Sequence, residues 1–131
     1  MSKTRVLLAD KNTQILEYVR RFLTTKSCEV VGVVTDGQAA VDAAARLLPD
    51  VLVLDFSLPI LNGVQAARRV REANPSVKIV FHTVYNDRDI CRAALETDAS
   101  GYVLKPRLAS DLILAIELAR DGRHFVSCDC D

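Results

Sequence analysis

Hydrophobic positions along this chain fall into two alternating patterns. Short unbroken apolar runs, Val6-Leu7-Leu8-Ala9, Val51-Leu52-Val53-Leu54, Val77-Lys78-Ile79-Val80-Phe81 and Tyr102-Val103-Leu104, alternate with segments whose apolar residues recur every three or four positions. The first pattern predicts strands buried on both faces, the second amphipathic helices. Ile15, Val19, Phe22 and Leu23 share one helical face, which predicts a helix near 13–26 capped by Asn12. A second strand is expected from Glu29 to Val34. Thr35 or Asp36 then caps an alanine-rich helix that runs through Ala45 and ends by Pro49.

After the strand Val51 to Leu54, Asn62-Gly63 opens a third helix with Val64, Ala67 and Val70 inward, and Asn74-Pro75 ends it. A fourth strand is expected from Lys78 to His82, a fourth helix over roughly 87–97 and a fifth strand from Tyr102 to Leu104. Leu108, Leu112, Ala115, Ile116 and Ala119 line the last helix, closed by Asp121-Gly122. Strict alternation of strand and helix implies right-handed crossovers and an α/β, doubly wound parallel sheet covered on both faces. One domain over 1–123 accounts for the pattern, with 124–131 as a C-terminal tail or the start of a linker.

Composition narrows the function classes. Half the residues are apolar, and 17 basic residues balance 17 acidic ones. Disorder is therefore excluded, and nothing favours a nucleic-acid surface. Arg68, Arg69 and Arg71 form the one basic cluster and read as a solvated helix face. No apolar stretch approaches the roughly 20 residues of a membrane span. Residues 1–5 enter a strand at once and leave no room for a signal peptide. A cytoplasmic location is expected, with cysteines reduced. Cys28 and Cys91 read as ordinary buried residues, and the Cys128/Cys130 pair as a tail feature rather than a metal site.

The chemistry lies where the strands end. Asp10, Asp55, Thr83 and Lys105 each sit at the C-terminal end of an apolar run. Ligands bind beyond the carboxyl ends of the strands in open α/β sheets. Two carboxylates, a hydroxyl and an ammonium are thus expected in one crevice. His82, just before Thr83, reads as a core histidine.

Four segments carry a resemblance: Arg5-Val6-Leu7-Leu8-Ala9-Asp10, Val53-Leu54-Asp55-Phe56-Ser57-Leu58-Pro59 with Asn62-Gly63, Ile79-Val80-Phe81-His82-Thr83, and Gly101-Tyr102-Val103-Leu104-Lys105-Pro106. In this order and spacing the chain resembles a bacterial response-regulator receiver domain of two-component signalling. The resemblance implies a flavodoxin-like (βα)5 fold with strand order 2-1-3-4-5. It implies Asp55 as a phosphoacceptor that receives its phosphoryl group from a histidine kinase. Asp10, Asp55 and the carbonyl of Ser57 would hold Mg²⁺, and Lys105 would pair with Asp55 and then with the phosphoryl group. Thr83 would move toward that group and let Tyr102 change rotamer. The Lys105–Pro106 peptide is often cis in such domains. The protein would be a signalling phosphoacceptor rather than an enzyme in the ordinary sense.

Lys11 departs from the pattern, standing where a second acidic metal ligand is usual. With Lys11 counted, the site is neutral without a metal, and weak or absent Mg²⁺ binding is expected. Three readings follow: Lys11 pairs with Asp10 or Asp55 and impairs the metal site, it mimics the cation and biases the domain toward its active form, or it swings into solvent. Val84, where a small residue is common, is expected to narrow access to Asp55 and slow both phosphorylation and dephosphorylation.

The competing reading is a degenerate receiver that works as a phosphorylation-independent interaction module. A flavin- or nucleotide-binding carrier on the same fold would need a phosphate-cradling loop after the first strand, and Asp10-Lys11-Asn12-Thr13 is not one. Ala119 to Phe125 resembles the exit of receivers followed by a helix-turn-helix DNA-binding domain, so a fused or separate effector is expected beyond the tail. Homodimerisation is left open.

Overall fold

The computed structural model describes residues 3–127. Strands β1 (Thr4–Ala9), β2 (Cys28–Val34), β3 (Val51–Leu54), β4 (Lys78–Thr83) and β5 (Gly101–Leu104) alternate with helices α1 (Thr13–Thr24), α2 (Gly37–Leu47), α3 (Gly63–Ala73), α4 (Arg88–Leu95) and α5 (Leu108–Arg120). A two-residue strand, β6 (Phe125–Val126), follows α5. All neighbours pair in parallel, in the order β2-β1-β3-β4-β5-β6. The expected order 2-1-3-4-5 is present, and the sheet extends one strand further than the five read from the sequence.

Alternation along the buried strands divides the core in two. Leu7, Leu52, Leu54, Ile79, Phe81 and Tyr102 face α2, α3 and α4. Val6, Leu8, Val51, Val53, Val80 and Val103 face α1 and α5. The partition has a packing reason. Helices α2 and α3 present mainly alanines, Ala40, Ala43, Ala44, Ala66 and Ala67, and so accept the long strand side chains. Helices α1 and α5 supply leucines and meet the short valines. Complementary sizes fill both layers at crystal-like density.

Helix starts follow the capping chemistry. The Asn12 side chain accepts from the amides of Gln14 and Ile15, Asp36 accepts from Ala39, and Asn62 and Gln65 form a reciprocal capping box. Asp36, not Thr35, is therefore the α2 cap. Helix α2 stops when Leu48 turns left-handed at φ 49° ahead of Pro49. Gly122, at φ 77°, turns the chain out of α5.

The chain then lies along the outer edge of β5. Gly101 pairs with Phe125 and Tyr102 with Val126. Ser127 completes the contact: its amide donates to the Tyr102 carbonyl at 2.9 Å, and its Oγ accepts from the Leu104 amide at 3.0 Å. Cys28 is buried and free, whereas Cys91, also buried, is disulfide-bonded, against the reduced state expected for both. The Cys128/Cys130 reading lies outside the described residues. No helix among the described residues is long and apolar enough to cross a membrane.

Candidate phosphoacceptor site

Backbone pairing delivers two carboxylates to one place. The β1–β3 ladder continues one step past the strands, with the Asp55 amide donating to the Ala9 carbonyl at 2.9 Å. Asp10 is held from the other side, its amide donating to Val34 at 3.1 Å. Asp10 and Asp55 are 2% and 4% exposed, a degree of burial rarely tolerated by a carboxylate without a partner.

Lys105 is that partner. It begins a single 3₁₀ turn after β5, and its ammonium lies 2.7 Å from Asp10 Oδ2 and 3.5 Å from Asp55 Oδ2. The contact with Asp10 is close but poorly directed, so Oδ2 is held by charge and takes no hydrogen bond. The other oxygens are fixed by backbone donors: Asp10 Oδ1 accepts from the Asn12 amide at 2.8 Å, and Asp55 Oδ1 from the Ser57 amide at 3.3 Å. The expected pairing of Lys105 with Asp55 is present, and a contact with Asp10 is added to it. The lysine spans both carboxylates and sits nearer Asp10. No cis peptide occurs among the described residues, so Lys105–Pro106 is trans.

Burial raises the Asp55 carboxyl above the usual carboxylate range, and repulsion from Asp10 adds to it. Lys105 and the Ser57 amide oppose both. Lys11 is exposed and forms no ion pair with either carboxylate among the described contacts. Of its three readings, the geometry is that of a side chain turned to solvent. The buried charge of the site is then two carboxylates and one ammonium, net −1, rather than the zero reached when Lys11 is counted.

Thr83 and Tyr102 meet through one residue, Tyr85. Thr83 is fully buried, and its Oγ1 accepts from the Tyr85 amide at 3.2 Å. Tyr102 is fully buried too, and its phenol donates to the Tyr85 carbonyl at 2.6 Å. Burial pushes that phenol up to about 12. Tyr85 also closes over the loop that follows Asp55. Its ring packs edge-on against Phe56 at 6.0 Å, and its hydroxyl accepts from Ser57 Oγ at 3.3 Å. Sequence reasoning missed Tyr85. An aromatic two residues beyond Thr83 was the available signal.

Two glycines make the approach possible. A Cβ on Gly63 would lie 2.4 Å from the Asp55 carbonyl oxygen, and one on Gly37 would lie 1.9 Å from that of Leu61. Glycine therefore lets α3 and α2 start against the loop that follows Asp55. His82, 2% exposed, faces the α1–α5 side beside Asp10. Burial, with a smaller push from Lys105, holds its imidazole down to about 4, so it is neutral at pH 7.

Among the described residues no group of three or more His, Cys, Asp or Glu could cage a metal. Mg²⁺ does not require a cage, because it binds through one or two carboxylates and keeps several waters. Asp10 and Asp55, with Asp10 Oδ2 not taken by a hydrogen bond, fit such a weak, water-rich site.

Comparison with known proteins defines the class. Residues 6–117 match the family model described as the response regulator receiver domain. The chain is 32% identical over 126 residues to the transcriptional regulatory protein DegU of Brevibacillus brevis, covering 95% of this chain and 53% of that protein. It is 36% identical over 115 residues to the transcriptional regulatory protein PdtaR of Mycobacterium tuberculosis, covering 88% and 56%. The crystal structure of a LuxR-family two-component response regulator from Aurantimonas sp. SI85-9A1 superposes with a TM-score of 0.93 at 30% identity, covering 98% of this chain and 93% of that one. The chain belongs to the response regulator receiver domain family, and so to two-component signalling. It spans about half the length of the curated relatives it matches.

Proposed function

We propose that the domain accepts a phosphoryl group on Asp55 and converts it into a change at the Thr83–Tyr102 pair. The carrying observation is the contact of Lys105 with buried Asp10 and Asp55 across three strand ends, with Thr83 buried at the end of β4. An Asp55 oxygen attacks phosphorus, the bond to the donor's histidine nitrogen breaks, and the nitrogen leaves with the electron pair. Lys105 moves from the carboxylates to a phosphoryl oxygen. Asp10, Asp55 and the Ser57 carbonyl are the residues that would hold Mg²⁺, which when bound neutralises charge on the transferring group.

The output follows from the shared residue, Tyr85. Thr83 turning toward the phosphoryl group gives up the Tyr85 amide. The Tyr85 backbone is then free to shift, and its carbonyl, in the next peptide along, is the acceptor that holds Tyr102. A histidine kinase is the implied donor, a fused or separate effector and a second copy of the chain the implied recipients. The protein acts as a cytoplasmic signalling phosphoacceptor and not as an enzyme of external substrates. No nucleic acid or membrane contact by this domain is proposed.

Acetyl phosphate, with and without Mg²⁺, tests the reading by intact mass. A Mg²⁺-dependent gain of one phosphoryl group, absent in Asp55→Asn, is expected. No gain under any condition would favour a second reading, the phosphorylation-independent interaction module. One observation supports that alternative: Lys105 already lies on the Asp10 oxygen that a metal would use.

A further inference from the structure

Among the described residues, two buried side-chain atoms have no hydrogen-bond partner: Asp10 Oδ2 and His82 Nε2. Both residues line one small cavity of about 10 Å³, walled otherwise by Leu8, Ala9, Ile15, Leu16, Val19 and Val53. Buried polar groups are seldom left unmatched, and each such group calls for an explanation. Two of them on residues that line one cavity call for a shared one.

The cavity excludes any organic ligand and has room for one water. A carboxylate only accepts, whereas a water donates twice and accepts twice. A neutral imidazole offers a donor on one nitrogen and an acceptor on the other, so either tautomer completes a bridge. We infer that His82 is a positioning residue for Asp10, one water in this cavity linking His82 Nε2 to Asp10 Oδ2. The water supplies the directed hydrogen bond that the Lys105 contact lacks. It fixes the Asp10 carboxylate as the Asn12 amide fixes its other oxygen. An aliphatic side chain at 82 would suit the valine-rich α1–α5 face. The imidazole is explained by Asp10 rather than by packing.

The geometry stands apart from the proposed phosphoryl transfer, and only its kinetic consequence rests on that reading. The test compares the chain with His82→Leu and His82→Gln. A high-resolution crystal structure should show one water within hydrogen-bond reach of both atoms, lost in His82→Leu and kept in His82→Gln. The Asn12 amide resonance, which reports the Asp10 orientation, should move in His82→Leu and stay near its native position in His82→Gln. Phosphorylation by acetyl phosphate should slow about 10-fold in His82→Leu and recover in His82→Gln, as for other groups that orient a ligand. A dry cavity in the native crystal, or an unmoved Asn12 resonance in His82→Leu, overturns the inference. If the native chain takes no phosphoryl group while the water and the Asn12 shift are seen, the transfer reading fails and this one stands.

Discussion

Lys105 lies 2.7 Å from Asp10 and 3.5 Å from Asp55, so the lysine at the site compensates best the carboxylate that is not the proposed phosphoacceptor. Asp55 is left buried, repelled by Asp10 and only partly balanced. Its folded pKa is raised, so the native state binds the extra proton above the ordinary carboxylate pKa, and stability falls as pH climbs through that window. At neutral pH ionised Asp55 therefore costs stability, and Asp55→Asn should melt about 2–6 °C higher, the shift expected for roughly 1 kcal/mol. Thermal melts at pH 7 decide it; an equal or lower melting temperature would contradict the imbalance.

His82 has the opposite sign. Its folded pKa is depressed to about 4 from an ordinary 6.5. The stability contributed by keeping it neutral is present above 6.5 and lost as pH falls toward 4. Asp55 protonation works against this trend in part of the same range. Urea titrations of the chain and His82→Leu between those limits separate the two, and the chain should lose stability relative to His82→Leu as pH falls.

Ile60 stands at φ 72° in the loop after Asp55, a left-handed conformation hostile to a β-branched residue, and it is 77% exposed. Little burial is lost on replacing it. Ile60→Asn should raise stability by about 1 kcal/mol, the scale of the left-handed penalty. A loss of stability by chemical denaturation would mean that the Ile60 side chain makes contacts worth more than the strain.

Gly63→Ala places a methyl group 2.4 Å from the Asp55 carbonyl oxygen. The clash is with backbone, so α3 or the Asp55 loop has to move. A destabilisation of about 1–3 kcal/mol is expected, together with slower phosphorylation. Native kinetics in this variant would show that the position of Asp55 tolerates the displacement.

Val84 is 61% exposed at the rim of the site. Val84→Ala should speed both gain and loss of the phosphoryl group by widening the approach to Asp55. Unchanged rates in both directions would remove Val84 from the account.

Much of this was readable from residue order because the signals are local or periodic. Unbroken runs such as Val51 to Leu54 mark buried strands, Asn12 and Asn62 mark helix starts, and strand ends in an α/β fold mark the crevice. What escaped depends on atoms meeting across the fold. Phe125–Val126 has no periodicity, and its pairing is decided by the turn at Gly122 and by Ser127 reaching β5. The preference of Lys105 for Asp10, the turn of Lys11 toward solvent and the role of Tyr85 are competitions between partners at similar distances. Residue type alone does not rank such competitions.

The short pairing of residues 125–127 with β5 bears on how the protein behaves at high concentration. Gly101–Leu104 is a wholly buried apolar strand whose outer backbone edge would otherwise offer unpaired amides and carbonyls to any passing chain. Phe125, Val126 and Ser127 cover that edge with bonds of their own. These three residues thus guard against intermolecular strand addition, and shortening the protein at 124 would leave the β5 edge open to another chain.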